Sequence, residues 1–227
     1  MMPDRLVLFD IDCTLVDAHG AGGRAILRAI KDVYGVEGEL GDYSFHGRTD
    51  PGIIRDLAEL WGADGTGDVE ACIARYVELL RKEIDRVEVE TLPGIHELVV
   101  ALAADRRALI GLLTGNVLEG ARLKLEPTGL LPLFKVGAYG SDSALRADLP
   151  AVAVARAEAL GASRYAGKDV VVIGDTPADV ECGASLGVTA VAVATGRHTM
   201  DELAACAPDH LFPDFSDWRL AYDAIIG

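Results

Sequence analysis

The sequence predicts an α/β fold, a doubly wound parallel sheet of Rossmann-like type with a small helical cap domain inserted after the first strand. Three observations carry that expectation. Apolar runs of strand length recur, and several are apolar on both faces, as parallel strands covered by helices are. Amphipathic segments of helix length separate the later runs, the alternation of a doubly wound sheet. Between Asp17 and Glu90 the alternation stops and only helical periodicity is found.

The first run is "RLVLF", Arg5 to Phe9. It is followed by "ALIGLL" (Ala108 to Leu113), "KVGAYG" (Lys135 to Gly140), "DVVVIG" (Asp169 to Gly174) and "VTAVAVA" (Val188 to Ala194). Helices are expected from Gly94 to Asp105, Val117 to Glu126, Ala147 to Leu160 and Pro177 to Leu186. Within the insert, Ile26, Leu27, Ile30, Val33 and Tyr34 fall at helical spacing, as do Val69, Cys72, Ile73, Tyr76, Val77, Leu80 and Ile84; such stripes pack helix on helix. "TDPGIIRDLAELWG" supplies a further helix, with Pro51 near its start and Gly62 after its end. The expected division is a core domain of residues 1–16 and 91–227 and a cap of residues 17–90, with "LPGIHEL" marking the return to the core.

The chain of 227 residues is half hydrophobic and a quarter charged, an ordinary globular composition able to bury a sizeable core. Its formal net charge of −15 argues against a nucleic-acid partner or an anionic membrane surface, since both need clustered Lys and Arg. Cys13, Cys72, Cys182 and Cys206 show no C-x-x-C spacing, so reduced thiols are expected. No segment reads as a membrane span or signal peptide, and a cytoplasmic location is the expectation. The sequence leaves the oligomeric state open, monomer or dimer.

Ligands of an open parallel sheet bind outside the carboxyl ends of its strands. Three runs end there in chemically loaded residues: "RLVLF" in Asp10-Ile11-Asp12, "ALIGLL" in Thr114-Gly115-Asn116, and "DVVVIG" in Asp175 with Asp179 four residues on. Carboxylates crowded on one rim repel by about 4 kcal/mol per pair at roughly 4 Å and an effective dielectric near 20. A hard cation relieves this, and Mg²⁺ suits a set of oxygen donors without a His or Cys cluster. Thr114 and the backbone N–H groups of Gly115 and Asn116 offer an anion corner beside it, and metal plus anion corner suggests phosphoryl chemistry. Plainer roles compete: Asn116 and Asp17 as helix N-caps, Asp179 as part of a Thr176-x-x-Asp179 capping box, "HGAGGRA" as a hinge, and Cys13 as a packing residue.

With these residues in order at strand ends, the sequence resembles the haloacid dehalogenase superfamily, specifically its phosphoglycolate-phosphatase-like members with a helical cap. "DIDCTLVD" resembles the first motif, "LLTGN" the second and "VVIGDTPADVECG" the fourth. The resemblance makes Asp10 the nucleophile and Asp12 the general acid/base, and gives Mg²⁺ to Asp10, the carbonyl of Asp12 and Asp175, with Asp179 in support; Thr114 would hold a phosphoryl oxygen. Two departures stand out. Cys13 occupies a position where the family commonly has Gly, and no Lys follows the third strand. Arg146 is the basic residue placed to substitute for it, or else a surface partner of Asp142 or Asp148. Lys124 is set aside because it lies about two turns into its helix, some 12 Å along the axis.

The implied activity is Mg²⁺-dependent hydrolysis of a small phosphorylated metabolite through an aspartyl phosphate, with phosphoglycolate a guess by resemblance. A sugar phosphomutase of the same superfamily and a phosphoaspartate signalling or binding domain are the alternatives. In the cap, "FHGRTD" holds Arg48, which would touch a substrate anion or pair with Asp50.

Overall fold

The computed structural model describes residues 3–63, 68–161 and 164–227. Its main sheet has six strands in the order β5-β4-β1-β6-β7-β8, every neighbouring pair parallel. The strands are β1 (Arg5–Phe9), β4 (Ala108–Leu113), β5 (Val136–Ala138), β6 (Val170–Gly174), β7 (Thr189–Val193) and β8 (His210–Phe212). Helices α4 (Ile95–Ala104), α5 (Leu118–Leu125), α6 (Leu149–Ala159), α7 (Pro177–Cys182), α8 (Met200–Ala205) and α9 (Trp218–Ile226) cover it. The doubly wound α/β expectation therefore holds. β1 and β6 lie centrally and bury nearly every residue, which is why "RLVLF" and "VVVIG" read as continuous apolar runs.

The edge strand β8 went unread in the sequence, because "HLF" is three residues long and only half-buried. Two large apolar clusters, with a smaller one around Ala190, Ala192 and Leu203, form the core. The first centres on Val7, Phe9, Ile95, Leu98 and Ile225; the second centres on Leu6, Leu8, Leu149, Ala153 and Val172.

The insert forms α1 (Ala21–Tyr34), α2 (Asp50–Leu60) and α3 (Val69–Ile84), joined to the core by a two-stranded antiparallel ribbon of β2 (Val16–Asp17) and β3 (Glu90–Thr91). Its helices share a cluster of Ile26, Ile30, Ile54, Leu57, Tyr76 and Leu80, which Val117 and Leu123 join from the α5 segment. Pro51 lies in the first turn of α2 as expected, and Thr49 is the N-cap: its hydroxyl accepts from Gly52 N–H at 3.2 Å. Of "HGAGGRA", Ala21 to Ala25 open α1, and His19 and Gly20 precede it at φ 49° and 73°. Asp17 does not cap that helix. Its Oδ1 accepts from His19 N–H at 2.7 Å, and the cap position is Gly20, without a side-chain bond.

Candidate active site

The chain leaves β1 in a tight turn. Cys13 N–H donates to Val16 C=O at 2.9 Å, and Leu15 N–H donates to Ile11 C=O at 2.9 Å. Closing this turn requires Cys13 at φ 59°, a left-handed value that a Cβ disfavours by roughly 1–2 kcal/mol. Cys13→Gly should therefore raise stability by up to about 1 kcal/mol, since glycine's larger unfolded-state entropy offsets part of the relief. A urea denaturation midpoint measures it, and a lower midpoint would contradict the strain. Burial, followed by the charges of Asp175 and Asp12, pushes the Cys13 thiol up to about 12, which disfavours the nucleophilic thiolate.

Asp10 lies at the end of β1 with its backbone N–H donating to Ile173 C=O at 2.9 Å, so β6 sets its position. Oxygens of Asp10, Asp175 and Asp179 lie within 4.8 Å of one another. Burial and mutual repulsion raise Asp10 to about 7, against the charge of Arg146, and raise Asp175 to about 8. Asp175 Oδ1 accepts from Thr14 Oγ1 at 3.3 Å, while its Oδ2 is buried without a hydrogen-bond partner. A buried carboxylate with one orphaned oxygen, grouped with two further acids, is what a bound cation would resolve.

Asp179 is used differently. Its Oδ2 accepts from Thr176 N–H at 3.0 Å and Thr176 Oγ1 at 2.6 Å in a complete capping box, and its Oδ1 accepts from Arg146. Both oxygens are thus engaged by the protein.

Arg146 does not pair with Asp142 or Asp148; Arg156 holds Asp142, and Ser143 Oγ donates to Asp148. Its guanidinium is buried between Asp179 and Asp10, with Nη2 at 3.2 Å from Asp10 Oδ1. A short 3₁₀ turn, Arg146–Asp148, leads into α6 and turns the side chain inward.

Lys124 corrects the sequence reading. Its ammonium reaches Asp12 Oδ1 at 2.7 Å, Asp12 Oδ2 at 2.6 Å and Asn116 Oδ1 at 2.6 Å, and the side chain is almost wholly buried. The distance along the helix axis misled, because α5 runs beside the β1 turn rather than away from it, and the lysine stem spans the rest. Gly22 of α1 makes room: a Cβ there would lie 3.1 Å from Lys124 Nζ. No motif flagged this lysine; the signal available was one basic residue on an otherwise apolar helix face.

Asn116 is not the N-cap of α5, a position held by Val117 without a side-chain bond. It donates instead to Asp12 Oδ2 at 2.7 Å and to Thr114 Oγ1 at 2.8 Å, joining the second strand's terminus to the first. Although burial opposes ionisation, Lys124 and Asn116 hold the Asp12 carboxyl below its ordinary value.

The insert docks directly on this rim. Asp50 N–H donates to Gly115 C=O at 2.8 Å, Asp50 Oδ2 accepts from Val117 N–H at 2.9 Å, and Thr49 Oγ1 donates to Ala144 C=O at 2.8 Å. Gly115 is needed for this, since a Cβ there would fall 2.0 Å from Arg48 O. Asp50 is a buried acid that the sequence reading used only as a partner for Arg48, and burial raises it to about 6. Arg48 borders the cavity between insert and sheet but does not pair with Asp50. Its Nη1 bonds Asp56 Oδ2 at 2.7 Å and its guanidinium lies 4.7 Å over the Tyr43 ring.

Between insert and sheet lies a cavity of about 290 Å³, bordered by Asp10, Asp12, Thr114, Asn116, Lys124 and Arg146 on the core side and by Ile26, Phe45, His46, Ile53 and Tyr76 on the other. Among the described residues, no helix is long and apolar enough to cross a membrane.

Comparison with known proteins agrees with this geometry. Residues 144–218 match a family model described as HAD-hydrolase-like. The curated relative "Probable phosphatase IndB" of Dickeya dadantii (strain 3937) is 26% identical over 230 residues, covering 93% of this chain and 90% of that protein. A hydrolase from Pseudomonas syringae has the same fold with a TM-score of 0.74 at 19% identity, covering 99% of both chains. A predicted phosphoglycolate phosphatase from Haemophilus somnus 129pt superposes with a TM-score of 0.62 at 19% identity, over 97% of this chain and 99% of that one. Over residues 144–218 the chain is thus similar to haloacid dehalogenase-like hydrolases, and along nearly its whole length it is similar to a probable phosphatase.

Proposed function

We propose that the protein is a Mg²⁺-dependent phosphatase that hydrolyses a small phosphorylated metabolite through an aspartyl phosphate on Asp10. The observation that carries this reading is the pairing of two chemically distinct acids across one turn. Asp10 is buried among acids, beside Arg146; Asp12 is held by Lys124 and Asn116 at the cavity. One suits a nucleophile, the other a proton carrier.

Asp10, Asp175 and the Asp12 carbonyl would hold Mg²⁺, with Asp179 behind them gripping Arg146; the donor set is all oxygen and Asp175 Oδ2 lacks any other partner. Bound there, the ion would offset the negative charge of the carboxylates and of an arriving phosphate. A carboxylate oxygen of Asp10 then attacks phosphorus as the P–O bond to the alcohol breaks, and Asp12 delivers a proton to the departing oxygen. Asp12 next takes a proton from water, whose oxygen attacks the phosphoryl phosphorus and releases Asp10. An approaching dianion raises the proton affinity of Asp12, which the Lys124 clamp otherwise depresses. Arg146 and Thr114 orient phosphoryl oxygens, and the docked insert excludes bulk water. Phosphoglycolate and sugar phosphates both belong to this chemical range.

The test is hydrolysis of p-nitrophenyl phosphate with and without Mg²⁺, read beside thermal stability. The folded-state values of Asp10 and Asp175 lie above the ordinary 3.8, so the metal-free fold binds more protons than the unfolded chain. Its stability is highest below about pH 4 as far as these groups decide it, and falls as pH rises through 7 to 8. Mg²⁺ at a hundred times its Kd should add about 2.7 kcal/mol, roughly 5–10 °C in Tm, and more at pH 8 than at pH 5, where protons compete. Mg²⁺-independent turnover, or equal stabilisation at both pH values, would contradict the reading.

A further inference from the structure

We infer that the alcohol part of the substrate is uncharged and hydroxyl-bearing, so that the site disfavours phosphoglycolate and bisphosphates. The inference rests on the phosphatase reading above and narrows it to a substrate class. Its ground is the charge on the cavity wall. Among the described residues, the permanent cations bordering the cavity are Arg48, Lys124 and Arg146, against five acids: Asp10, Asp12, Asp17, Asp50 and Asp175.

Each cation has its partners. An ammonium has three N–H donors, and those of Lys124 have three acceptors within 2.7 Å, two on Asp12 and one on Asn116. Arg48 is paired with Asp56 and stacked on Tyr43. Arg146 sits with Asp10 and Asp179, at the phosphate end. His46 is the remaining basic group at the wall; burial, then the charges of Arg197 and His198, lower its pKa against the pull of Asp12, which disfavours the imidazolium. Arg197 itself is exposed and outside the lining.

The far wall is built from Gly20, Gly22, Gly23, Ile26, Phe45 and Ile53, with the carboxyls of Asp17 and Asp50 at its margin. A second anionic group placed there would lose its hydration against aliphatic carbon and meet acids rather than a cation. A hydroxyl suffers neither penalty. It can donate to the same carboxyl oxygens that repel a carboxylate, and its carbon chain gains apolar contact.

A matched pair of substrates tests this in the presence of Mg²⁺: 2-hydroxyethyl phosphate and phosphoglycolate, close in size and differing in terminal charge. The expected result is at least a tenfold higher kcat/KM for the uncharged ester. Gly23 then offers a site for inverting the wall's charge, because a Cβ there has no heavy atom within 4 Å. Gly23→Lys should narrow the ratio about tenfold, and Gly23→Gln, of similar length and neutral, should leave it near the wild-type value. Equal or better use of phosphoglycolate by the wild type overturns the inference, as does a Gly23→Lys ratio equal to that of Gly23→Gln. If neither ester turns over, p-nitrophenyl phosphate decides the phosphatase reading separately, and dissociation constants of the two compounds by calorimetry decide the charge preference by the same ratios.

Discussion

Asp10→Asn is expected to abolish turnover, by about four decades or more in kcat, the equivalent of roughly 5 kcal/mol or more in the barrier. The amide keeps the shape of the side chain but cannot form a stable acyl phosphate, so no phosphoryl adduct should be seen by mass spectrometry. The fold should survive. Asp10 is a buried acid raised to about 7, so its ionised form is disfavoured by the interior, and a neutral isostere removes that cost above pH 7. Arg146 keeps Asp179 as its partner. The metal-free Tm at pH 8 should therefore be unchanged or higher, while the stabilisation by Mg²⁺ is lost. Wild-type turnover in this variant would sink the covalent mechanism, and loss of fold would show that the Asp10–Arg146 contact matters more than the desolvation of Asp10.

Asp12→Ala is expected to reduce kcat/KM for an alkyl phosphate by about two to four decades, the usual contribution of a positioned acid/base. The loss should be smaller for p-nitrophenyl phosphate, whose leaving group needs little protonation. With water no longer activated, the phosphoenzyme should accumulate and be trapped by acid quench. The Tm should drop, because the buried Lys124 ammonium would keep only Asn116 among its three acceptors. Asp12→Asn retains an acceptor for the lysine and separates the two effects: it should recover stability but not the leaving-group dependence. Equal losses for both esters, with no trapped intermediate, would remove Asp12 from the proton-transfer role.

The residues that the sequence placed on one rim lie on one rim, for a local reason. Asp10, Thr114 and Asp175 each follow directly on a buried strand, and the ends of neighbouring parallel strands share an edge whatever surrounds them. Strand-terminal acids are therefore legible from hydrophobic runs and the residues that stop them. Arg146 was legible by elimination, as a basic residue between the third strand and its helix. The six-stranded parallel architecture followed from runs apolar on both faces, apart from β8, whose three half-buried residues carry too little pattern to be seen.

Lys124, Asp50 and the true partners of Arg48 and Asn116 were decided by tertiary structure. Lys124 meets Asp12 across 112 residues of sequence, and its place on an otherwise apolar helix face does not say which acid it meets. Its position depends on how α5 lies against the β1 turn and on the space left by Gly22. Asp50 bonds Val117 because the insert closes on the second strand's loop, and Arg48 turns away because Asp56 and Tyr43 lie on its side of α2. Periodicity and strand-end chemistry report the forces within an element and at its ends. Charge pairing between elements depends on distances that only packing sets, and a few ångströms decide whether a lysine is surface charge or the clamp on an acid.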